Sequence, residues 1–273
     1  MAELQSVTFP RLAGVFMDDS APDLLLRVAE SSDNAQLLAL VSVPMPSNGV
    51  MVGMAREPGY FEASLTQYTE PQPWVIASRA QPDQIMAMYN VGVRPCYING
   101  RVQPLRYLGD LRVNTRIRGK GLVRLKAKHL AQVMPPEAFA QTLILADNQG
   151  ARTMMHELRP DFPTPFRRDL VQTLTMTGVT GAPAAASQAC AQAVQLHTAT
   201  EADLSAMNAF VQQMAQHYNF MPAYDFTGMT RHDPYWRGLS PEDFTLVYRD
   251  GTLVGLFGLW NQKSFKQTRI VDY

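Results

Sequence analysis

Tyr107-Leu-Gly-Asp-Leu-Arg-Val-Asn-Thr-Arg-Ile-Arg-Gly-Lys-Gly-Leu-Val-Arg124 is the stretch on which the reading of this chain turns. It begins as the end of a strand running from Arg106 to Val113 and passes through Arg118-Gly-Lys-Gly121. It then takes up a helical period over Leu122 to Val133, which Pro135-Pro136 halts. The predicted order is strand, glycine loop, helix start. Gly119 and Gly121 let the backbone adopt conformations closed to other residues and approach a ligand without side-chain hindrance. The free N–H groups of the first helical turn, with the helix dipole behind them, then point at whatever anion docks.

Between Leu111 and Pro136 stand Arg112, Arg116, Arg118, Lys120, Arg124, Lys126 and Lys128, and no Asp or Glu. A diphosphate suits such a loop. The pattern is not a Walker loop, which needs Gly-Lys-Ser or Gly-Lys-Thr, and it lacks the third glycine and acidic ribose ligand of a dinucleotide fingerprint. Taken alone, it is equally compatible with a solvated turn followed by an exposed basic helix face.

The positive field is local, because the whole chain is neutral: 24 basic and 24 acidic residues in 273. That balance removes any global attraction to nucleic acid or acidic membranes. At 46% hydrophobic and 18% charged, the composition is that of an ordinary globular protein of one or two domains. Cys96 and Cys190 lack the spacing of a dithiol or zinc site, and His129, His156, His197, His217 and His232 show no metal-ligand spacing, so no metal is expected. The N-terminus has no basic region followed by an apolar core, and no apolar run approaches the ~20 residues of a membrane span. A cytoplasmic location is expected.

Upstream of the deciding stretch, Leu24 to Val28 reads as a strand, with Asp33 as the cap of a helix over Asn34 to Val41, and Gly59 to Leu65 as a short helix. Trp74 to Ala77 and Gln84 to Tyr89 read as a hairpin around Gln81-Pro-Asp83, and Asn99-Gly100 as the next tight turn. Downstream, Thr142-Leu-Ile-Leu-Ala146 reads as a strand buried on both faces, Gly150 to Leu158 as a helix and Arg168 to Thr175 as a final strand. The expected class is α/β, an α+β arrangement with one mixed sheet covered by helices.

Residues 178–193 shift to small side chains and form a linker. Beyond it the opening pattern recurs. Leu196 to Asp203 echoes the strand and cap that end at Asp33, and Thr252 to Leu256 echoes Gln84 to Met88, at offsets of 170 and 168 residues. The expected layout is therefore a first domain over 1–177, the linker, and the N-terminal half of a similar domain over 194–273. A sheet ending at Ile270-Val-Asp-Tyr273 would expose an unpaired edge, which favours a piece of a longer protein. Tyr218, Phe220, Tyr224, Phe226, Tyr235 and Trp236 either pack this second unit or line an acceptor groove.

Leu111-Arg-Val113 followed by Arg116-Ile-Arg-Gly-Lys-Gly121 resembles the (Gln/Arg)-x-x-Gly-x-(Gly/Ala) motif of the GNAT superfamily of N-acetyltransferases, and Asp147-Asn-Gln-Gly-Ala151 resembles the Asn-x-x-Ala segment that follows it. In element order the resemblance spans residues 24–176, and residues 195–273 resemble the first half of a second such domain. It implies the acyl-CoA N-acyltransferase fold, acetyl-CoA as co-substrate, no metal, and direct acetyl transfer to an amine acceptor.

The resemblance also implies roles. Leu111, Arg112 and Val113 would pair through their backbone with the pantetheine arm as an added strand, which needs the sheet to splay open beside Thr142 to Ala146. Main-chain N–H groups of Arg116, Arg118, Gly119, Lys120, Gly121, Leu122 and Val123 would hold the pyrophosphate. Asn148 would touch the pantetheine arm, or else only satisfy its own turn. Asp110 is the candidate base for the attacking amine, against the alternative of an ion pair with Arg106 or Arg112. Where the family often has a proton-donating Tyr, this chain has Met155, which keeps open a different reading: an inactive CoA-binding module with a regulatory or assembly role. Nucleic acid and membrane are not expected as partners, and a homodimer is left open.

Overall fold

The structure is a computed structural model, and it describes residues 14–19, 21–114, 122–134, 138–156 and 194–272. In chain order its first part contains β1 (Val15–Phe16), β2 (Leu24–Val28), α1 (Asn34–Val41), β3 (Met45–Ser47), β4 (Val50–Arg56), α2 (Tyr60–Ser64), β5 (Pro73–Ser78), β6 (Gln81–Ile98), β7 (Arg101–Val113), α3 (Leu122–Val133), β8 (Phe139–Gln141) and α4 (Gln149–His156). The second part contains β9 (Gln195–Thr198), α5 (Leu204–Met214), β10 (Met221–Pro222), β11 (Phe244–Arg249), β12 (Thr252–Gly258) and β13 (Lys266–Asp272).

The main sheet runs β1-β2-β5-β6-β7-β8, antiparallel throughout except for the parallel pair β7/β8, so the mixed α/β sheet expected from the sequence is present. The period of two in its strands sorts side chains to two faces. Leu26, Trp74, Ile76, Tyr89 and Val91 pack under α3, against Leu122, Leu125 and Leu130. Val75, Ile85 and Met88 point the other way, towards Leu37 and Val41 of α1 and Tyr60 of α2. Asn99 and Gly100, at φ of 52° and 72°, make the tight turn between β6 and β7, as the dipeptide demands. The preceding turn falls at Arg79-Ala80 rather than at Gln81-Pro-Asp83, because β6 already begins at Gln81 and extends to Ile98.

Two expectations are corrected. Asp33 does not cap α1 with its side chain. Its carboxylate accepts from the Glu30 N–H at 2.8 Å and from the Arg27 guanidinium at 2.7 and 2.9 Å, closing the turn before the helix. The segment Thr142 to Ala146 is not a strand buried on both faces. The paired residues are Phe139–Gln141, and Leu143 is exposed. Among the described residues this strand pairs only with β7, up to Gln141, and the strand expected at 168–175 lies outside the described residues.

The recurrence seen in the sequence has a structural counterpart. The turn Ser31–Asp33 leads into α1 as Glu201–Asp203 leads into α5, each 170 positions later, with the same reciprocal capping box. Arg27 pairs with Asp33, and His197 holds the same relation to Asp203 at 3.2 Å. Strand order β9-β11-β12 repeats β2-β5-β6. The second part also adds two strands to the first. β10 pairs with β6 at Cys96 and Tyr97, and β13 pairs with β4 along its length. The edge at Ile270-Val271 is therefore paired on one side by β4.

Candidate functional site

β7 changes character at Gly109. Asn90 of β6 stands opposite Gly109 and Met88 opposite Arg112, so β7 supplies Asp110 and Leu111 where β6 supplies only Tyr89. This is a β-bulge, and Asp110 takes it up at φ 51°, a conformation that Asp tolerates better than most residues. The bulge resets the alternation. Tyr107 meets Tyr68, while Asp110 and Arg112 meet Tyr60 and Met54 on the α1/α2 side. Leu108, Leu111 and Val113 pack towards α3.

At the same level the sheet opens. The last β7/β8 pairing is Tyr107 with Gln141, and the Thr142 hydroxyl donates to the Leu108 carbonyl at 2.8 Å. From Gly109 to Val113 the outer edge of β7 has no strand partner among the described residues. Backbone groups released from a ladder need partners, and an extended ligand can supply them.

Asp110 lies at the mouth of this opening with its side chain 6% exposed. One carboxylate oxygen accepts from the Tyr60 hydroxyl at 2.9 Å, and the other is 3.7 Å from the Arg56 guanidinium on β4. Tyr60 in turn accepts from the Asn90 side-chain amide at 3.2 Å, and Asn90 accepts from the Gln72 N–H at 3.0 Å. Burial and then the Asp110 charge push the Tyr60 hydroxyl well above its ordinary pKa, so it stays a donor. The sequence alternatives for Asp110, ion pairs with Arg106 or Arg112, are replaced by Arg56.

Arg112 is buried on the same side, with its guanidinium held below its ordinary pKa chiefly by desolvation. Lys266 of β13 stands opposite Arg56 in the β4/β13 ladder, and burial, then the nearby Arg56 charge, lowers its ammonium to about 8. Sequence reasoning missed Arg56, Tyr60, Asn90 and Lys266. No motif joins them; the long-range pairing of β13 with β4 and the bulge in β7 bring them together.

Of the other expected site residues, Leu111 and Val113 turn their side chains to the core under α3, which leaves their backbone to the open edge. Leu122 opens α3 and is buried in the same core, so only its main chain can meet a ligand. Arg116, Arg118, Gly119, Lys120 and Gly121 lie outside the described residues, as do the side chains of Val123 and Met155. The Asn148 side-chain oxygen accepts from the Ala151 N–H at 3.1 Å and caps α4. Two of the basic side chains turn to the protein itself. Lys128 pairs with Asp18 at 2.7 Å, and Lys126 lies 5.5 Å from the Tyr89 ring centre.

His129 is a further buried group that sequence reasoning left aside. It shares a 2.7 Å hydrogen bond with the Tyr89 hydroxyl and packs on Trp74, and burial lowers it to about 4. Phe226 and Trp236 pack the core of the second part, while Tyr224 and Tyr235 line a small cavity with Arg94, Pro95 and Asp225. Among the described residues no group of His, Cys, Asp and Glu could hold a metal, and no helix is long and apolar enough to cross a membrane.

No protein-family model matches the sequence, and no curated protein matches it. Solved structures similar to part of the chain include an aminoglycoside antibiotic 6'-N-acetyltransferase from Acinetobacter haemolyticus, at 16% identity over 57% of this chain and 99% of the other, with a TM-score of 0.36. A Trypanosoma brucei acetyltransferase is 17% identical over 56% of this chain and 100% of its own, with a TM-score of 0.36. The glucosamine-6-phosphate N-acetyltransferase of Arabidopsis thaliana is 14% identical over 57% and 99%, with a TM-score of 0.35.

Proposed function

We propose that this chain is an acetyl-CoA-dependent N-acetyltransferase that passes an acetyl group directly to an amine. The observation that carries the proposal is the outer edge of β7 from Gly109 to Val113, which has no strand partner among the described residues, lies beside a bulge and is followed in sequence by a glycine loop and the start of α3. Backbone groups of Leu111, Arg112 and Val113 would hold the pantetheine arm. Main-chain N–H groups from Arg116 to Val123 would hold the pyrophosphate. Asn148, whose oxygen is engaged by α4, would offer its amide N–H to the arm. Residues 1–177 would form the transferase domain and residues 194–273 the first half of a second, related one, a layout supported by the 170-residue recurrence of turn, cap and helix.

Acetyl-CoA supplies an activated thioester. The chain's own contribution starts from an amine that arrives largely protonated and must lose that proton to attack. Asp110 takes the proton, either directly or through one water, and its bonds from Tyr60 and Arg56 fix its position. The new C–N bond forms as the C–S bond breaks, and CoA leaves as thiolate or thiol. A thiol pKa of about 8.5 makes a dedicated acid dispensable for that step, which suits the presence of Met155 where the family often has Tyr.

The test is calorimetric titration with acetyl-CoA, followed by thiol release against a panel of amines. Binding at micromolar concentration with amine-dependent thiol release is the expected result. Absence of acetyl-CoA binding would remove the proposal, and binding without turnover on any amine would reduce it to the inactive CoA-binding module.

A further inference from the structure

The cluster around Asp110 is out of charge balance. Arg56, Arg112 and Lys266 bring three cations to it, and Asp110 is the one carboxylate that acts on both Arg112 and Lys266 among the described residues. Both guanidiniums are more than nine-tenths buried, yet their N–H groups are poorly used. Arg56 donates to the Ala55 carbonyl at 3.2 Å and points a second nitrogen at the Met54 sulfur, 4.0 Å away. Arg112 donates to the Leu111 carbonyl at 2.9 Å and to the same sulfur at 3.5 Å, and its Nε is buried with no partner. A thioether is a weak acceptor and no counter-charge. Lys266 faces Arg56 directly across the β4/β13 ladder, where like charges oppose pairing.

Buried cations without an anion are costly, and a fold that keeps two arginines and a lysine together around one carboxylate carries a positive charge that a second negative group would offset. Arg112 lies two residues, about 6.6 Å of strand, from Asp110 on the same face. It also lies on the open edge of β7. An anion seated on Arg112 is thus a few bonds from the place where Asp110 would receive a proton.

Resting on the acetyl-transfer reading, we infer that the acceptor amine carries a carboxylate or phosphate, and that Arg112 together with Arg56 and Lys266 holds that group beside Asp110. The planar guanidinium suits either oxyanion. Strand β13 of the second part then has a task in the site of the first, because it brings Lys266.

Two assays on the full chain test this. In the first, thiol release from acetyl-CoA is measured on matched amines: an amino acid against its amide, and phosphoethanolamine against ethanolamine. The anionic member of at least one pair is expected to lead by about 10- to 100-fold in kcat/KM, the range of one charge-assisted contact. The pair that shows the lead distinguishes carboxylate from phosphate. Arg112→Gln and Lys266→Gln collapse the preference through KM, and Arg249→Gln on the exposed end of β11 keeps it. Equal or faster transfer to the neutral amines overturns the inference and leaves the acetyl-transfer reading standing. In the second assay, inorganic phosphate is titrated while the melting temperature is followed. Part of the stabilisation is expected to vanish in Arg112→Gln and Lys266→Gln, with folding of each variant checked by circular dichroism. If no amine is acetylated, the acetyl-transfer reading fails and the phosphate titration alone decides. No Arg112-dependent stabilisation overturns the inference in either case.

Discussion

Replacing Asp110 by Asn keeps the shape of the side chain and removes its charge. The Tyr60 hydroxyl can still donate to the amide oxygen, so the hydrogen bond survives in a neutral and weaker form. The larger effect is electrostatic. Arg56, Arg112 and Lys266 lose the carboxylate they surround, and breaking a buried ion pair by removing one partner costs ~3–5 kcal/mol. At a urea slope of about 2–3 kcal/mol/M this moves the unfolding midpoint down by roughly 1–2 M. Part of the loss depends on pH. The Lys266 ammonium titrates at about 8 in the folded wild type against an ordinary 10.5, so the unfolded chain binds more protons between those values and stability rises with pH there. Removing Asp110 lowers the ammonium further, which adds a deficit that is full well below pH 8, shrinks as pH rises towards about 8 and is gone above it. Urea unfolding at pH 6, 7, 8 and 9 measures both parts. A midpoint shift under about 0.3 M at pH 6 would refute the charge argument, since three buried cations cannot lose the carboxylate among them at so little cost. On the catalytic proposal, the folded variant also loses about 10²- to 10⁴-fold in transfer.

Tyr60→Phe removes the hydroxyl that donates to Asp110 and accepts from the Asn90 amide, leaving each group one buried hydrogen bond short, and should cost about 1–3 kcal/mol in urea unfolding; a loss below 0.5 kcal/mol would show that water replaces the hydroxyl. His129, lowered by burial to about 4, must become protonated in the unfolded chain between about 6.5 and 4, so its contribution is complete above pH 6.5 and is lost as pH falls through that window. Thermal melts of His129→Gln should be flatter than wild type between pH 6.5 and 4, and parallel curves would count against this assignment. Gly92→Ala would drive a methyl group into the Tyr68 ring, and a loss of about 1–3 kcal/mol is expected unless the ring has a second place to go.

The elements with strong local signals were legible in the sequence. The helical period over Leu122 to Val133 corresponds residue for residue to α3, and Asn99-Gly100 sits at its turn with both φ values positive. The strand at Thr142 to Ala146 was misplaced because an apolar run fixes neither which residues pair nor how far a neighbour stays parallel to them. That depends on the divergence of β7, a property of two segments some 35 residues apart. The bulge has a weak local signal, Gly109 inside a strand followed by Asp110, a residue that tolerates positive φ, but where the extra residue falls is set by the pairing with β6. The expectation at Leu111, Arg112 and Val113 rests on the glycine loop that follows them along the chain. Nothing of that kind points to Arg56, Tyr60 and Lys266, since each enters the Asp110 cluster from a separate element without periodicity or motif of its own.

The origin of Lys266 says more about the molecule than its charge alone. The two parts repeat one local plan, turn, capping box and helix, yet they use it unequally. In the first, Asp33 is buried under Arg27; in the second, Asp203 meets a half-exposed His197. The two parts are joined by strand addition, with β10 added to β6 and β13 added to β4, so the second part covers sheet edges of the first. An edge closed in this way is protected from pairing with other chains. It also places β13 beside β4, whose Arg56 reaches Asp110, and that is how a lysine 156 positions downstream of Asp110 comes to share its electrostatic environment. The bulge belongs to residues 109–113, and the charge around it, begun by Arg56 and Arg112, is completed by Lys266 when β13 pairs with β4. Any acceptor that reads this charge therefore reads both parts at once.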